Sequence, residues 1–113
     1  MVGLQMTMPT LRVLRALLAD VAGGHYGLEL CKVTGLASGT VYPILNRLEK
    51  AGWLDSSWED ADPAKEGRPR RRLYKLSRSG AEEARYALAA AHQTLQYPLP
   101  AGGSAPQPEG GGA

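Results

Sequence analysis

The sequence predicts a mainly α fold with a small β-hairpin: a winged helix-turn-helix followed by one C-terminal dimerisation helix. Three observations predict it. Two helical apolar stripes with start and stop residues, and a shorter one between them, occupy the chain up to Gly52. The apolar period then switches from helical to alternating on either side of a loop holding Pro63, Gly67 and Pro69. An Ala-rich helical stripe follows, and after it a Pro-, Gly- and Ala-rich tail.

The organising stretch runs from Leu36 to Trp53. Ser38 is its expected N-cap and Ala51-Gly52 its stop, since Gly adopts the left-handed conformation that ends a helix. Val41, Ile44, Leu45 and Leu48 recur at helical spacing and define one apolar face. The opposite face carries Gly39, Pro43, Asn46 and Lys50, with Tyr42 and Arg47 at its margins. It has no acid at its centre, and its amide, phenol and cations suit phosphates and base edges. Pro43 lies past the first turn, where a regular helix former would be favoured by up to ~3 kcal/mol. It is either a kink forced by packing or a bend that follows a groove.

The rest of the chain falls into place around that helix. Met1 to Pro9 reads as a flexible arm (residues 1–9) and Thr10 as the N-cap of the first helix. Leu11, Val13, Leu14, Leu17, Leu18 and Val21 form its apolar stripe, and Gly23-Gly24 ends it. A short second helix covers about Leu28 to Val33, with Leu28, Leu30 and Cys31 facing inward. Thr34-Gly35 breaks it and leads through a tight turn into the third helix, a helix-turn-helix arrangement. Trp53 to Trp58 and Arg70 to Leu76 read as two strands of a hairpin, with Trp53 and Trp58 as core or hairpin anchors. Strand alternation sends Arg72, Tyr74 and Leu76 one way and Leu73 and Lys75 the other. Residues 10–77 therefore form one unit.

Charge is concentrated in the hairpin. Between Lys65 and Arg78 there are seven cations against one acid, a local +6 in a chain of net +2. A solvated charge run is the bland reading. Beside a phosphate-compatible helix, a hairpin carrying Arg68, Arg70 and Arg71 is what gripping a nucleic-acid backbone requires.

The last helix, residues 78–97, starts at a capping Ser77. Ala81, Ala84, Leu88, Ala91 and Leu95 make an Ala-rich heptad seam. The seam either covers the chain's own first helix or joins two copies. The preferred reading is a dimer contact through Leu14, Ala84, Leu88, Ala91 and Leu95, because one winged helix reads few base pairs. Gly80 is a weak point, costing up to ~1 kcal/mol against Ala. Residues 98–113 are expected to be a disordered tail.

Composition bounds the function. A chain of 113 residues is one domain by default. Cys31 is the single cysteine, so no internal disulfide forms, which suits a reducing compartment. No apolar run reaches transmembrane length and the N-terminus lacks a signal-peptide pattern, so no membrane partner and a cytoplasmic location are expected. There is no Gly-rich phosphate loop and no zinc-spaced Cys/His cluster. No catalytic residue, metal or cofactor is therefore assigned. Cys31 reads as a small apolar residue, His25 as a turn residue, and His92 as lying beside the seam.

Gly39-Thr40-Val41-Tyr42-Pro43-Ile44-Leu45 with Leu48-Glu49, and the Gly67-Arg68-Pro69-Arg70 wing, together resemble the PadR family of winged-helix transcription regulators. The resemblance covers about Leu11 to Ala84 and fits the short subclass, since a single helix follows the wing. It implies a homodimeric repressor, with helix 38–52 in the major groove of double-stranded DNA and the 59–72 wing along the backbone. The expected DNA contacts are Ser38, Gly39, Thr40, Tyr42, Pro43, Asn46, Arg47, Lys50, Arg68, Arg70 and Arg71. The family sometimes implies a small-molecule effector at the dimer interface, which no residue here identifies. The family usually has a Gly-Tyr pair at the start of its second helix, where this chain has Tyr26-Gly27. The alternative function is a winged helix that binds an acidic protein partner through its basic hairpin. An apolar outward face on the third helix would favour it.

Overall fold

The computed structural model describes residues 4–95, with side chains described through residue 93. The expectations for the tail at 98–113, for Tyr97-Pro98 and for the Leu95 side chain lie outside the described residues. The elements run α1 (Met8–Leu18), β1 (His25–Tyr26), α2 (Gly27–Thr34), α3 (Ser38–Lys50), β2 (Leu54–Trp58), α4 (Pro63–Glu66), β3 (Arg72–Leu76) and α5 (Arg78–Leu95). The architecture is mainly helical with one small antiparallel sheet, as the periodicity predicts.

Helix α1 begins three residues ahead of the expected start. Its cap is Thr7, whose hydroxyl accepts from the Thr10 N–H at 3.3 Å, with Pro9 in the first turn. Thr10 is not the cap because it already lies on the buried face. Leu4 and Met6, expected in a flexible arm, pack against the core. Helix α2 ends at Gly35, whose φ of 75° turns the chain toward α3. Leu28 is 62% exposed rather than inward, because a helix of eight residues has one buried stripe and Leu30 occupies it.

Helix α3 opens at Ala37, not Ser38. Ala37 holds the extended conformation (φ −71°, ψ 156°) and Ser38 is the first helical residue, so no side chain caps this end. Its other end is a Schellman motif: the Trp53 N–H reaches the Leu48 carbonyl at 2.9 Å and the Gly52 N–H that of Glu49 at 3.0 Å. Gly52 supplies the left-handed φ of 83° that this motif needs. Val41, Ile44, Leu45 and Leu48 are all buried, as their spacing predicts.

The sheet order is β1-β3-β2, with β3 antiparallel to both neighbours. Strand β1 was not expected: two residues are too few to show a period, and they pair only because β3 lies beside them. His25, read as a turn residue, is buried in this strand with its Nε2 3.0 Å from the Asp20 carbonyl oxygen. Alternation along β3 holds, with Tyr74 and Leu76 buried and Lys75 exposed. The polar loop between β2 and β3 contains α4, one helical turn capped by Asp62, which accepts from the Ala64 N–H at 3.0 Å. Trp58 is 59% exposed and is not a core anchor.

Ser77 caps α5, accepting from the Gly80 N–H at 3.0 Å, while its own hydroxyl donates to the Gly52 carbonyl at 2.8 Å. The core joins α1, α3, α5 and the sheet. Leu14, Ala84 and Leu88 are fully buried within this one chain. These three residues of the seam expected to join two copies lie where α5 packs on the chain's own α1. Of the members of that set whose side chains are described, Ala91 is the one partly open. None of the described helices is long and apolar enough to cross a membrane.

Candidate nucleic-acid interface

Two surfaces lie side by side: the outward face of α3 and the hairpin of β2, α4 and β3. Burying Val41, Ile44, Leu45 and Leu48 forces Ser38, Gly39, Tyr42, Pro43, Asn46, Arg47 and Lys50 outward, and all seven are exposed. Thr40 is half-buried at the edge. Pro43 has no N–H, so the Gly39 carbonyl loses its partner inside the helix at an exposed position. With no side-chain cap, the first-turn N–H groups of α3 also face outward, an arrangement that attracts anions.

Tyr42 is the exception to a fully free face. At 39% exposure its ring lies against Gly27, where a Cβ would run into the phenol. The Tyr26-Gly27 order thus has a packing reason: glycine at the first position of α2 makes room for Tyr42 of α3. Beside them, a cleft of about 650 Å³ opens between α2, α3 and the hairpin, walled by Tyr26, Tyr42, Tyr74, Arg71 and Arg72.

The hairpin arginines are not equivalent. Arg68 donates from both terminal nitrogens to the Glu59 carboxylate, Nη2 reaching Oε1 at 3.4 Å. The Arg71 backbone N–H donates to Glu59 Oε2 at 2.8 Å, and its Nε lies 3.5 Å from Oε1. The Arg71 guanidinium stacks 4.0 Å from the centroid of the Tyr26 ring, and the Tyr26 hydroxyl donates to Glu59 at 3.4 Å. The Glu59 side chain is only 9% exposed. The Arg68 hydrogen bond, aided by the Arg71 N–H, holds its carboxyl down to about 2 against the opposing effect of burial. Arg68 is pushed upward by the same contact.

Arg72 serves the fold. Its Nε and Nη2 donate to Ser56 Oγ at 3.1 and 2.8 Å, and Ser56 donates to Glu49 of α3 at 2.6 Å. Its guanidinium lies 5.0 Å from the Trp58 ring centroid, which explains an exposed tryptophan on a strand. Arg70 spends only its Nε, on the Ala61 carbonyl at 2.8 Å, and among the described residues no acid pairs with it. Sequence reasoning missed Glu59, the residue that sorts these cations. Its one signal was an acid opening the loop on the far side from the arginines.

This geometry defines a winged helix-turn-helix: three helices, the third displayed, with a basic hairpin at its side. The chain belongs to the Transcriptional regulator PadR-like family, whose profile matches residues 17–86. The proteins of that family are described as regulators of transcription. No curated protein matches the sequence. Among solved structures, apo MarR of E. coli is similar over 81% of this chain and 62% of its own, with 24% identity and a TM-score of 0.63. BpsR of Bordetella bronchiseptica, whose DNA binding is regulated by 6-hydroxynicotinic acid, gives a TM-score of 0.64 at 24% identity over 81% of this chain and 60% of its own. A transcriptional regulator homologue from Pyrococcus horikoshii gives 0.61 at 21% identity over 77% and 79%. These likenesses show the fold. The chain spans about three fifths of the length of MarR and BpsR.

Proposed function

We propose that the protein is a sequence-specific DNA-binding repressor, cytoplasmic and homodimeric, with α3 in the major groove and the hairpin along the backbone. The observation that carries this reading is the exposed face of Tyr42, Pro43, Asn46, Arg47 and Lys50 set beside a hairpin whose Arg70 has no acid partner among the described residues. That face is polar, which disfavours the protein-binding alternative. Asn46 is the base-reading residue, since an amide can bond adenine in two places and so discriminate by ~1–3 kcal/mol. Arg70 acts on phosphate. An effector, as 6-hydroxynicotinic acid is for BpsR, would have the 650 Å³ cleft beside α3 open to it.

The dimer in this reading uses what the core leaves exposed. A mostly apolar groove of about 430 Å³ runs between the N-terminal segment and α5, lined by Leu4, Met6, Trp53, Tyr86, Ala87 and Ala91. Tyr86 stands 75% exposed at its edge.

The test begins by recovering the preferred duplex from a random pool with the purified protein. Binding to that duplex and to a scrambled one is then followed across a salt series. Asn46→Ala should erase the preference and leave scrambled binding nearly intact. Arg70→Ala should weaken both and flatten the salt slope by roughly 0.9, one phosphate contact. If neither variant changes binding to either duplex, the protein-interaction reading replaces this one.

A further inference from the structure

Glu59 stands at the point where the hairpin meets the helix-turn-helix. Its backbone N–H donates to the Arg71 carbonyl at 2.8 Å, so the end of β2 and the start of β3 are already tied there. Its carboxylate collects Arg68, the Arg71 N–H and the Tyr26 hydroxyl. Tyr26 belongs to β1 and precedes α2, and its N–H donates to Glu59's counterpart on α2, Glu29, at 3.2 Å. One side chain therefore joins both ends of the segment between α4 and β3 to the segment that leads into α2. A nearly buried carboxylate with this many donors is strongly localised, because each charged hydrogen bond would have to be remade in water.

Two consequences follow from charge. Arg68 and Arg71, which look like phosphate ligands in the sequence, face an acid at hydrogen-bond range. A neutralised cation releases no counterion when DNA arrives. Of the other hairpin cations, Arg72 lies 3.7 Å from Glu49 Oε2, while Lys65, Arg70 and Lys75 have no acid partner among the described residues. We infer that Glu59 is the positioning residue of the wing: it aims the hairpin relative to α3 and holds Arg68 and Arg71 back from the DNA backbone. This rests on the DNA-binding reading for its second half only.

The experiment compares Glu59→Gln, Arg68→Ala and Glu59→Gln with Arg68→Ala against the wild type. It has two readouts, salt dependence of binding to the scrambled duplex and the rate of tryptic cleavage after Arg70 and Arg71. Glu59→Gln should steepen the salt slope by roughly 0.9 for each released arginine that finds a phosphate, while losing preference for the selected duplex. Loss of structure alone does not steepen a slope. Adding Arg68→Ala should take back one such step. Arg68→Ala alone should keep the wild-type slope, in contrast to Arg70→Ala. Cleavage in Glu59→Gln should speed up about tenfold, since it follows the population of the open hairpin. An unchanged slope in Glu59→Gln, or a slope flattened by Arg68→Ala alone, would overturn the withdrawal of the arginines. Cleavage at the wild-type rate would overturn the positioning. If the wild type retains no duplex at all, the DNA-binding reading falls separately and the cleavage rates still decide the positioning.

Discussion

At the scale of single residues, the hairpin shows how one acid changes the meaning of its neighbours. The run Arg70-Arg71-Arg72 has three identical side chains with three different employments: Arg70 outward, Arg71 on Glu59 and Tyr26, Arg72 on Ser56 and Trp58. The Glu59 contacts also set a pH dependence. Its carboxyl is held from 4.5 down to about 2, chiefly by the Arg68 hydrogen bond. A carboxylate whose pKa is lowered on folding contributes stability that is present above the unfolded value and lost as the pH falls through the folded one. The Arg71 amide, which donates to Glu59, should therefore stay protected from exchange as the pH drops to 4.5, and lose protection only on approach to about 2. Hydrogen exchange followed by NMR measures this. Protection already gone at 4.5 would show that the Arg68 contact does not hold the charged form.

At the scale of elements, junctions decide more than propensities do. Gly80 looks like a defect in a helix that is otherwise rich in alanine. It is buried, and a Cβ there would collide with the Trp53 carbonyl oxygen, the same oxygen that accepts from the Ser77 N–H at 2.8 Å. The first turn of α5 thus lies directly on the backbone that leaves the α3 Schellman motif. Gly80→Ala would gain up to ~1 kcal/mol of helix propensity but meets backbone, which cannot swing away. Overpacking of this kind costs about 1–3 kcal/mol, so the variant should melt below the wild type. A melting temperature raised by Gly80→Ala, read by circular dichroism, would contradict the close approach. Gly27 follows the same logic against Tyr42, which couples the start of α2 to the displayed face of α3.

At the scale of the whole molecule, the question is which apolar surface is left once the chain has folded. Leu14, Ala84 and Leu88 are interior, so substitutions there act on folding and not on assembly. Leu88→Ala should cost ~2–5 kcal/mol of stability, as deletion from a filled core does. Tyr86→Glu with Ala90→Glu changes exposed positions along the groove at α5 and should leave the fold of the single chain intact by circular dichroism. In the dimeric reading this pair yields monomers and weaker DNA binding, because one winged helix alone spans few base pairs. Sedimentation on the order of tens of micromolar protein is the check, since association depends on concentration. A wild type that sediments as a monomer would remove the dimer from the proposed function.

Much of this architecture was legible in the sequence by itself. The buried face Val41, Ile44, Leu45 and Leu48 follows from spacing, and the outward face of Asn46 and Lys50 follows from that burial. The hairpin follows from alternation, and its basic character from a plain count of charges. These are local properties, carried by residues within a turn or a strand of one another. Tertiary structure alone decided the rest. Periodicity says that Ala84 and Leu88 share a face but not what covers it; both are buried on the side where α5 packs on the chain's own α1. Spacing cannot pair His25 with Tyr74 across 49 positions, because neither carries a sign of the other. Counting charges cannot tell a cation aimed at solvent from one held by an acid nine residues away, as Glu59 holds Arg68. The reason is common to all three: side-chain type and local order set which surfaces are apolar or charged, while partners distant in sequence settle which of those surfaces remain exposed.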